Sequence, residues 1–295
     1  MHNGNMWSEG GRWLKGNIHT HTSNSDGDCS VREIAALYAR QGFDFVFLTD
    51  HYKRTIPPKG IRKPLLIPAE EIDFSFKKRS HHFVCLGVKK AWQKKYGRFH
   101  TPEQLLERAE REGVFLVEAH PYWCGTPSPC CIYRNGRVCP GMEVYNSVCD
   151  HEIGKGYSAA HWDDLLDAGH RVLGFAVDDT HHRVNIAGGW IMVKSKSLSQ
   201  NAILAAIKAG NFYSSQGPVI KSVSAAGRDL KVRCSPSARI NFISNRSFGH
   251  SCFAAKKPLQ EAAWTAPQHV RYVRIEVIDK RGKTAWSNPL FFGPA

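Results

Sequence analysis

The sequence predicts an α/β fold with a small antiparallel β segment behind it, on three observations. Apolar, strand-like runs alternate with amphipathic helical segments through residues 1–217, the pattern of parallel α/β architecture. Several of those runs end, on their C-terminal side, in clusters of histidine and carboxylate. From about Pro218 the helical period disappears and short alternating strands replace it.

The elements follow in order. In "GNIHTHTSNSDGD", His19 and His21 are one residue apart, so an extended chain projects both imidazoles to one face. "SVREIAALYARQG" is a helix: Ser30 and Glu33 form a capping box, Ile34, Leu37 and Tyr38 make the apolar stripe, and Gly42 stops it. The strand "FDFVFLTDH" comes next. "TPEQLLERAEREG" opens with Thr101 as cap, Pro102 at the first helical position and Gln104 completing a box, and it ends at Gly113. "VFLVEAHPY" and "GMEVYN" are strand-like, residues 158–168 are helical, "RVLGFAVDDTHH" is a strand, and "SQNAILAAIKAG" is a last helix. The tail reads as strands, among them "VIKSVSAAG", "ARINFISN" and "VRYVRIEVIDKRG".

Composition narrows the function. A chain of 295 residues with 42% hydrophobic residues can build a full core and is not disordered. No run of 18 apolar residues and no leader-like segment stands out, so a cytoplasmic protein without a membrane span is expected. Nine cysteines without a framework suit reduced thiols; Cys124, Cys130, Cys131 and Cys139 lack knuckle spacing and read as a loop. The net charge of +14 favours anionic partners. Nucleic acid is a possible partner, but the densest basic run, residues 77–82, is short and lacks interleaved aromatics, so no clustered basic patch supports it.

The strand-end clusters carry the chemistry. They are "TDH" (Asp50, His51), "PAEEI" (Glu70, Glu71), "EAHP" (Glu118, His120) and "DDTHH" (Asp178, Asp179, His181, His182). In parallel barrels the C-terminal strand ends share one mouth, so distant segments would converge there. Histidine and carboxylate without cysteine suit zinc, manganese or iron.

Through "NIHTHTSNSDG", "FLTDH", "PAEEI", "HHFVCLG", "EAHP" and "VDDTHH", in that order over residues 17–217, the chain resembles the polymerase and histidinol phosphatase (PHP) superfamily of metal-dependent hydrolases, in its stand-alone phosphoesterase form. The resemblance implies a distorted (β/α)7 TIM-like barrel over residues 1–217, with residues 218–295 a small antiparallel β-sandwich-like domain. It implies two to three divalent metal ions. His19, His21 and Asp179 would hold the first, with Glu71 bridging to a neighbour; Glu71 is chosen over Glu70 because it precedes apolar Ile72. Asp26, His51 and His181 would hold the second, and His82 and His120 the third with Glu71. A one-residue slip would put His81 in place of His82. Asp26 stands where some members carry histidine.

The resemblance further implies hydrolysis of a small anionic, phosphorylated substrate by a metal-bridging hydroxide, with His120, Asp179 and His181 counted as catalytic. Lys53 and Arg54 follow "TDH" and are candidates to clamp the phosphate. Tyr52, Tyr122 and Asn146 would line the mouth, and Asp178 and His182 would orient ligands. An ester, amide or carbamate hydrolase is the alternative, because the same nucleophile attacks carbonyl carbon. A non-enzymatic anion- or nucleic-acid-binding module is the third reading.

Overall fold

The computed structural model describes residues 3–7, 10–92, 99–133 and 136–293; within them the side chains of residues 3, 4 and 129 and of Cys130 lie outside the description. The chain runs β1 (Asn3–Asn5), β2 (Arg12–Asn17), α1 (Val31–Arg40), β3 (Phe45–Leu48), β4 (Leu65–Pro68), β5 (Glu70–Phe76) and β6 (Arg79–Leu86). Next come α2 (Pro102–Glu112), β7 (Phe115–Glu118), β8 (Gly141–Asn146), α3 (Ser147–Ile153), α4 (Ala159–Asp167), β9 (Leu173–Val177), β10 (Trp190–Ser195), α5 (Gln200–Lys208) and β11 (Phe212–Ser215). The remainder is strand: β12 (Ile220–Ala226), β13 (Asp229–Ser237), β14 (Arg239–Ser244), β15 (Gly249–Phe253), β16 (Leu259–Thr265), β17 (Tyr272–Ile278), β18 (Thr284–Ser287) and β19 (Leu290–Phe291).

The expected α/β TIM-like barrel is overturned. Among the described residues the chain is mostly sheet, with five α-helices, three sheets and no closed barrel. One sheet of ten strands runs β15-β14-β17-β18-β11-β10-β2-β3-β4, with β19 on β17; a second runs β5-β6-β7-β8-β9 and a third β1-β12-β13-β16. Among the named strands of the described residues, parallel pairing is confined to β2-β3-β4 and β7-β8-β9, and isolated parallel bridges join Thr20 to Thr180 and His51 to Glu71.

Two local causes explain the departure. Lys77 and Lys78 both adopt positive φ, 48° and 63°, which is the two-residue turn that matches strand twist, so β5 and β6 form an antiparallel hairpin. No glycine or asparagine announces that turn. The other cause is α5, which joins β10 to β11 without a parallel crossover: the two strands pair antiparallel, and β11 goes on to pair with β18 of the C-terminal strands.

The helices form where the caps place them. Ser30 Oγ accepts from Glu33 N while Glu33 reaches back to Ser30 N, and Gly113 ends α2 in the left-handed conformation. Gln104 instead accepts from His100 N, so only half of the second box forms. Between the first two sheets Phe45, Phe47, Val84, Val117, Phe175 and Ile191 pack into one core. A second core joins Val223 and Val232 to Phe242, Ile275 and Val277.

Candidate metal centre

Residues just past the strand ends are stitched together by backbone hydrogen bonds. Asp179 N donates to His19 O at 3.0 Å, His21 N to Thr180 O at 2.9 Å, and Glu71 N to Thr49 O at 3.1 Å. The extended chain puts His19 and His21 on one face. Their Nε2 atoms stand 3.1 Å apart.

Both nitrogens meet two carboxylates. Glu71 Oε2 lies 2.9 Å from His19 Nε2 and 3.0 Å from His21 Nε2, and Asp179 Oδ1 lies 3.2 and 3.3 Å from the same pair. All four side chains are buried. Donors at these separations surround a centre about 2 Å from each, the reach of a zinc–nitrogen or zinc–oxygen bond, so the set fits a divalent cation.

Two further sets adjoin it. His51 Nε2 lies 3.3 Å from Glu71 Oε2 and 3.7 Å from Asp26 Oδ2, and His181 Nε2 lies 3.4 Å from that same Asp26 oxygen. Asp26 Oδ1 also meets His21 Nδ1 at 3.2 Å, so His21 belongs beside Asp26 as well as beside His19. On the other side, Glu71 Oε1 faces His82 Nδ1 at 2.9 Å and His120 Nε2 at 3.5 Å. The two oxygens of Glu71 therefore face different donor sets.

The electrostatics ask for positive charge. Burial works against protonation of His19, but Asp179, Glu71 and Glu143 outweigh it and push the imidazole up to about 10. Burial likewise opposes ionisation of Glu71 and Asp179, yet the surrounding histidines, His19 foremost, hold both carboxyls well below their usual range. His120 and Asp179 also carry φ of 29° and 57°, left-handed conformations that are costly for side chains and cluster at functional sites.

Two positioning residues, Glu143 and Asp73, escaped the sequence reading, and a third, Asp50, was read there as part of a metal-capable strand-end cluster. Glu143, in mid-strand on β8, takes His19 Nδ1 at 2.6 Å through one oxygen and His120 N at 2.9 Å through the other. That fixes the His19 tautomer so that Nε2 faces the centre. Asp50 accepts from Thr22 N at 2.7 Å and from Ser25 Oγ at 2.9 Å, holding the loop that carries Asp26. Asp73 Oδ1 lies 3.0 Å from His51 Nδ1. The signal for Glu143 was a carboxylate inside an otherwise apolar run, where an unpaired charge is costly. Gly27 closes the same loop: a Cβ there would stand 2.8 Å from the His21 carbonyl.

Other candidates are placed elsewhere. Glu70 accepts from Trp92 N at 2.6 Å, and buried His81 faces buried Glu118 at 3.9 Å instead of the Glu71 carboxylate. Arg54 donates to Val88 O at 2.8 Å, away from the centre, whereas Lys53 lines the mouth. Asp178 accepts from the amides of Ala187, Gly188 and Gly189 and from Tyr38, so it secures a loop. His182 meets Asp28 at the surface, and Tyr122 is exposed beneath Lys155. Asn146 donates to Glu143 at 2.9 Å and to Asp179 at 3.0 Å, which makes it a brace.

Two adjoining cavities reach the centre. The inner one, about 340 Å³, is lined by Glu71, His120, Trp123 and Asp179; the outer, about 510 Å³, by Asn24, Tyr52, Lys53 and Asp73. Asp26, His51 and His82 line both.

Fold and site together describe a sheet-rich chain with a buried histidine–carboxylate cluster suited to divalent metal. No family model and no curated protein matches the sequence. Among solved structures, the chain shares its fold with a two-domain protein from Bacteroides vulgatus containing a predicted PHP-like metal-dependent phosphoesterase. That likeness has 16% identity and a TM-score of 0.52, covering 98% of this chain and 99% of the other. The PHP resemblance read from the motifs is thus matched at the level of fold. Lower likenesses are PsfC from Pseudomonas syringae (14% identity, TM-score 0.47, 63% of this chain and 84% of the other) and a lesion-specific endonuclease from Pyrococcus furiosus (13%, 0.43, 67% and 56%). Among the described residues, no helix is long and apolar enough to cross a membrane.

Proposed function

We propose that this chain is a metal-dependent phosphoesterase of the PHP type, holding two to three divalent ions of zinc, manganese or iron. The observation that carries the reading is the shared carboxylate: Glu71 presents Oε2 to His19, His21 and His51, and Oε1 to His82 and His120. A single buried anion between two imidazole sets is the arrangement that neighbouring cations require.

When bound, divalent ions supply a deprotonated water at neutral pH and a positive field for phosphoryl oxygens. The chain's own residues do the rest. His19, His21, Asp179 and Glu71 hold one position; Asp26, His51 and His181 a second; His82 and His120, with Glu71, a third. Burial keeps bulk water from the inner set, while Asp26, half exposed, marks the open side. Lys53 at the rim attracts an anion and steers it inward. Under this reading His120, Asp179 and His181 act at the reacting centre as ligands, and the positive net charge suits a phosphorylated substrate.

The test is hydrolysis of an aryl phosphate and an aryl phosphodiester by the metal-loaded chain, beside an aryl ester and a carbamate. Turnover of phosphoesters, abolished in His120→Ala, supports the proposal. Turnover of the carbonyl substrates alone replaces it with the ester, amide or carbamate reading.

A further inference from the structure

Several imidazoles at the centre are oriented through the nitrogen that faces away from it. His19 Nδ1 meets Glu143, His51 Nδ1 meets Asp73, and His181 Nδ1 donates to the Asp179 carbonyl at 2.9 Å. At His120 the corresponding partner is sulfur: Cys124 Sγ lies 3.4 Å from Nδ1.

That contact is built by the local chain. Cys124 N donates to His120 O at 3.1 Å, Gly125 N to Tyr122 O at 3.1 Å and Thr126 N to Pro121 O at 2.9 Å, so one tight turn returns the cysteine over the imidazole. Outside contacts pin the turn, with Arg79 donating to Gly125 O at 2.7 Å and Thr126 Oγ1 to Ser80 O at 3.4 Å. Trp123 closes the other flank, its ring 5.1 Å from that of His120 and edge-on. Since His120 Nε2 faces Glu71 and Asp179, a neutral ligating imidazole carries its proton on Nδ1 and donates it to Cys124 Sγ.

We propose that Cys124 is the positioning residue of His120 and that it makes the metal centre sensitive to thiol modification. The proposal rests on the metal-centre reading above. Cys124 is half-buried, and among the described cysteines only Cys252, in β15, is also partly exposed. Iodoacetamide reacts by attack of the sulfur on its methylene carbon: a C–S bond forms, iodide leaves and the thiol proton passes to solvent. The resulting thioether carries an acetamide group that the 3.4 Å gap to His120 cannot hold in place. His120 must then turn or shift.

The experiment loads the full chain with zinc, dialyses it against zinc-free buffer and counts the zinc retained per chain. Cys124→Ser, which keeps a hydrogen-bond acceptor, is expected to retain zinc as the wild type does. Cys124→Ala is expected to bind at least one equivalent about tenfold more weakly, the usual cost of losing a group that orients a ligand. In wild type treated with iodoacetamide, zinc loss should track alkylation of Cys124 mapped by peptide mass spectrometry, and Cys252→Ser should leave that relation unchanged. Wild-type retention in folded Cys124→Ala, or full retention after Cys124 is alkylated, overturns the proposal. If Cys124→Ala proves unfolded by circular dichroism, the alkylation arm decides alone. A wild type that binds no zinc, manganese or iron overturns the metal-centre reading itself, an outcome distinct from equal retention by both proteins.

Discussion

Glu143 Oε1 stands 2.6 Å from His19 Nδ1, and both side chains are completely buried. The contact leaves His19 Nε2 free to face Glu71 and Asp179. Glu143→Gln keeps an acceptor but loses the charge, and Glu143→Ala loses both. Metal affinity should fall about tenfold in the first and towards a hundredfold in the second. Competition with a chromophoric chelator measures this; wild-type affinity in Glu143→Ala would show that the pair is structural only.

Glu71 and His82 separate shared from single duty. Glu71→Ala removes oxygens that face two donor sets, so more than one metal equivalent should be lost. His82→Ala removes one nitrogen from one set and should cost at most one equivalent. Metal analysis after gel filtration of the two variants compares them directly, and equal losses would argue against a shared carboxylate.

The legibility of the site and of the fold diverged for a physical reason. Ligand candidates were readable because His19 and His21, Glu71, His120 and Asp179 all sit beside short apolar runs, where burial of polar groups needs a cause. α1 and α2 were readable from Ser30 and Thr101 because caps are local. The sheet-rich topology that takes the place of the expected barrel was not, because strand direction depended on the Lys77–Lys78 turn and on how β11 meets β18. Those are long-range or weakly coded choices, and helix-strand alternation is silent on them. Helix α3 was missed for a similar reason: its cap, Asn146, whose side chain accepts from Cys149 N, ends a strand and also braces Asp179.

Lys53 and Arg54, adjacent in sequence, diverge in space. Lys53 lines the mouth while Arg54 is tied to Val88 O. Lys53→Ala should raise KM for an aryl phosphate about tenfold, the loss of one charge-assisted contact, with kcat little changed. Arg54→Ala should leave KM alone. Steady-state kinetics that show the reverse order would remove Lys53 from the substrate path.

Glu118 supplies a pH test away from catalysis. Burial pushes its carboxyl up to about 7, against hydrogen bonds from Tyr133 and Cys131 that lower it. A carboxyl raised on folding holds its proton more tightly in the folded chain than in the unfolded one. Its contribution to stability is therefore complete below the ordinary glutamate value and is lost as pH rises through about 7. Glu118→Gln stays neutral, so urea unfolding between pH 5 and 8 should show wild type losing stability relative to the variant. A constant difference across that range would contradict the burial of an ionisable Glu118.

The most direct measurement is the metal content of the intact chain, purified without chelator and supplied with zinc, manganese or iron. Three donor sets built on His19, His21, Asp26, His51, Glu71, His82, His120, Asp179 and His181 predict two to three equivalents per folded chain, read by elemental analysis. Fewer than one equivalent in a correctly folded preparation would contradict the account.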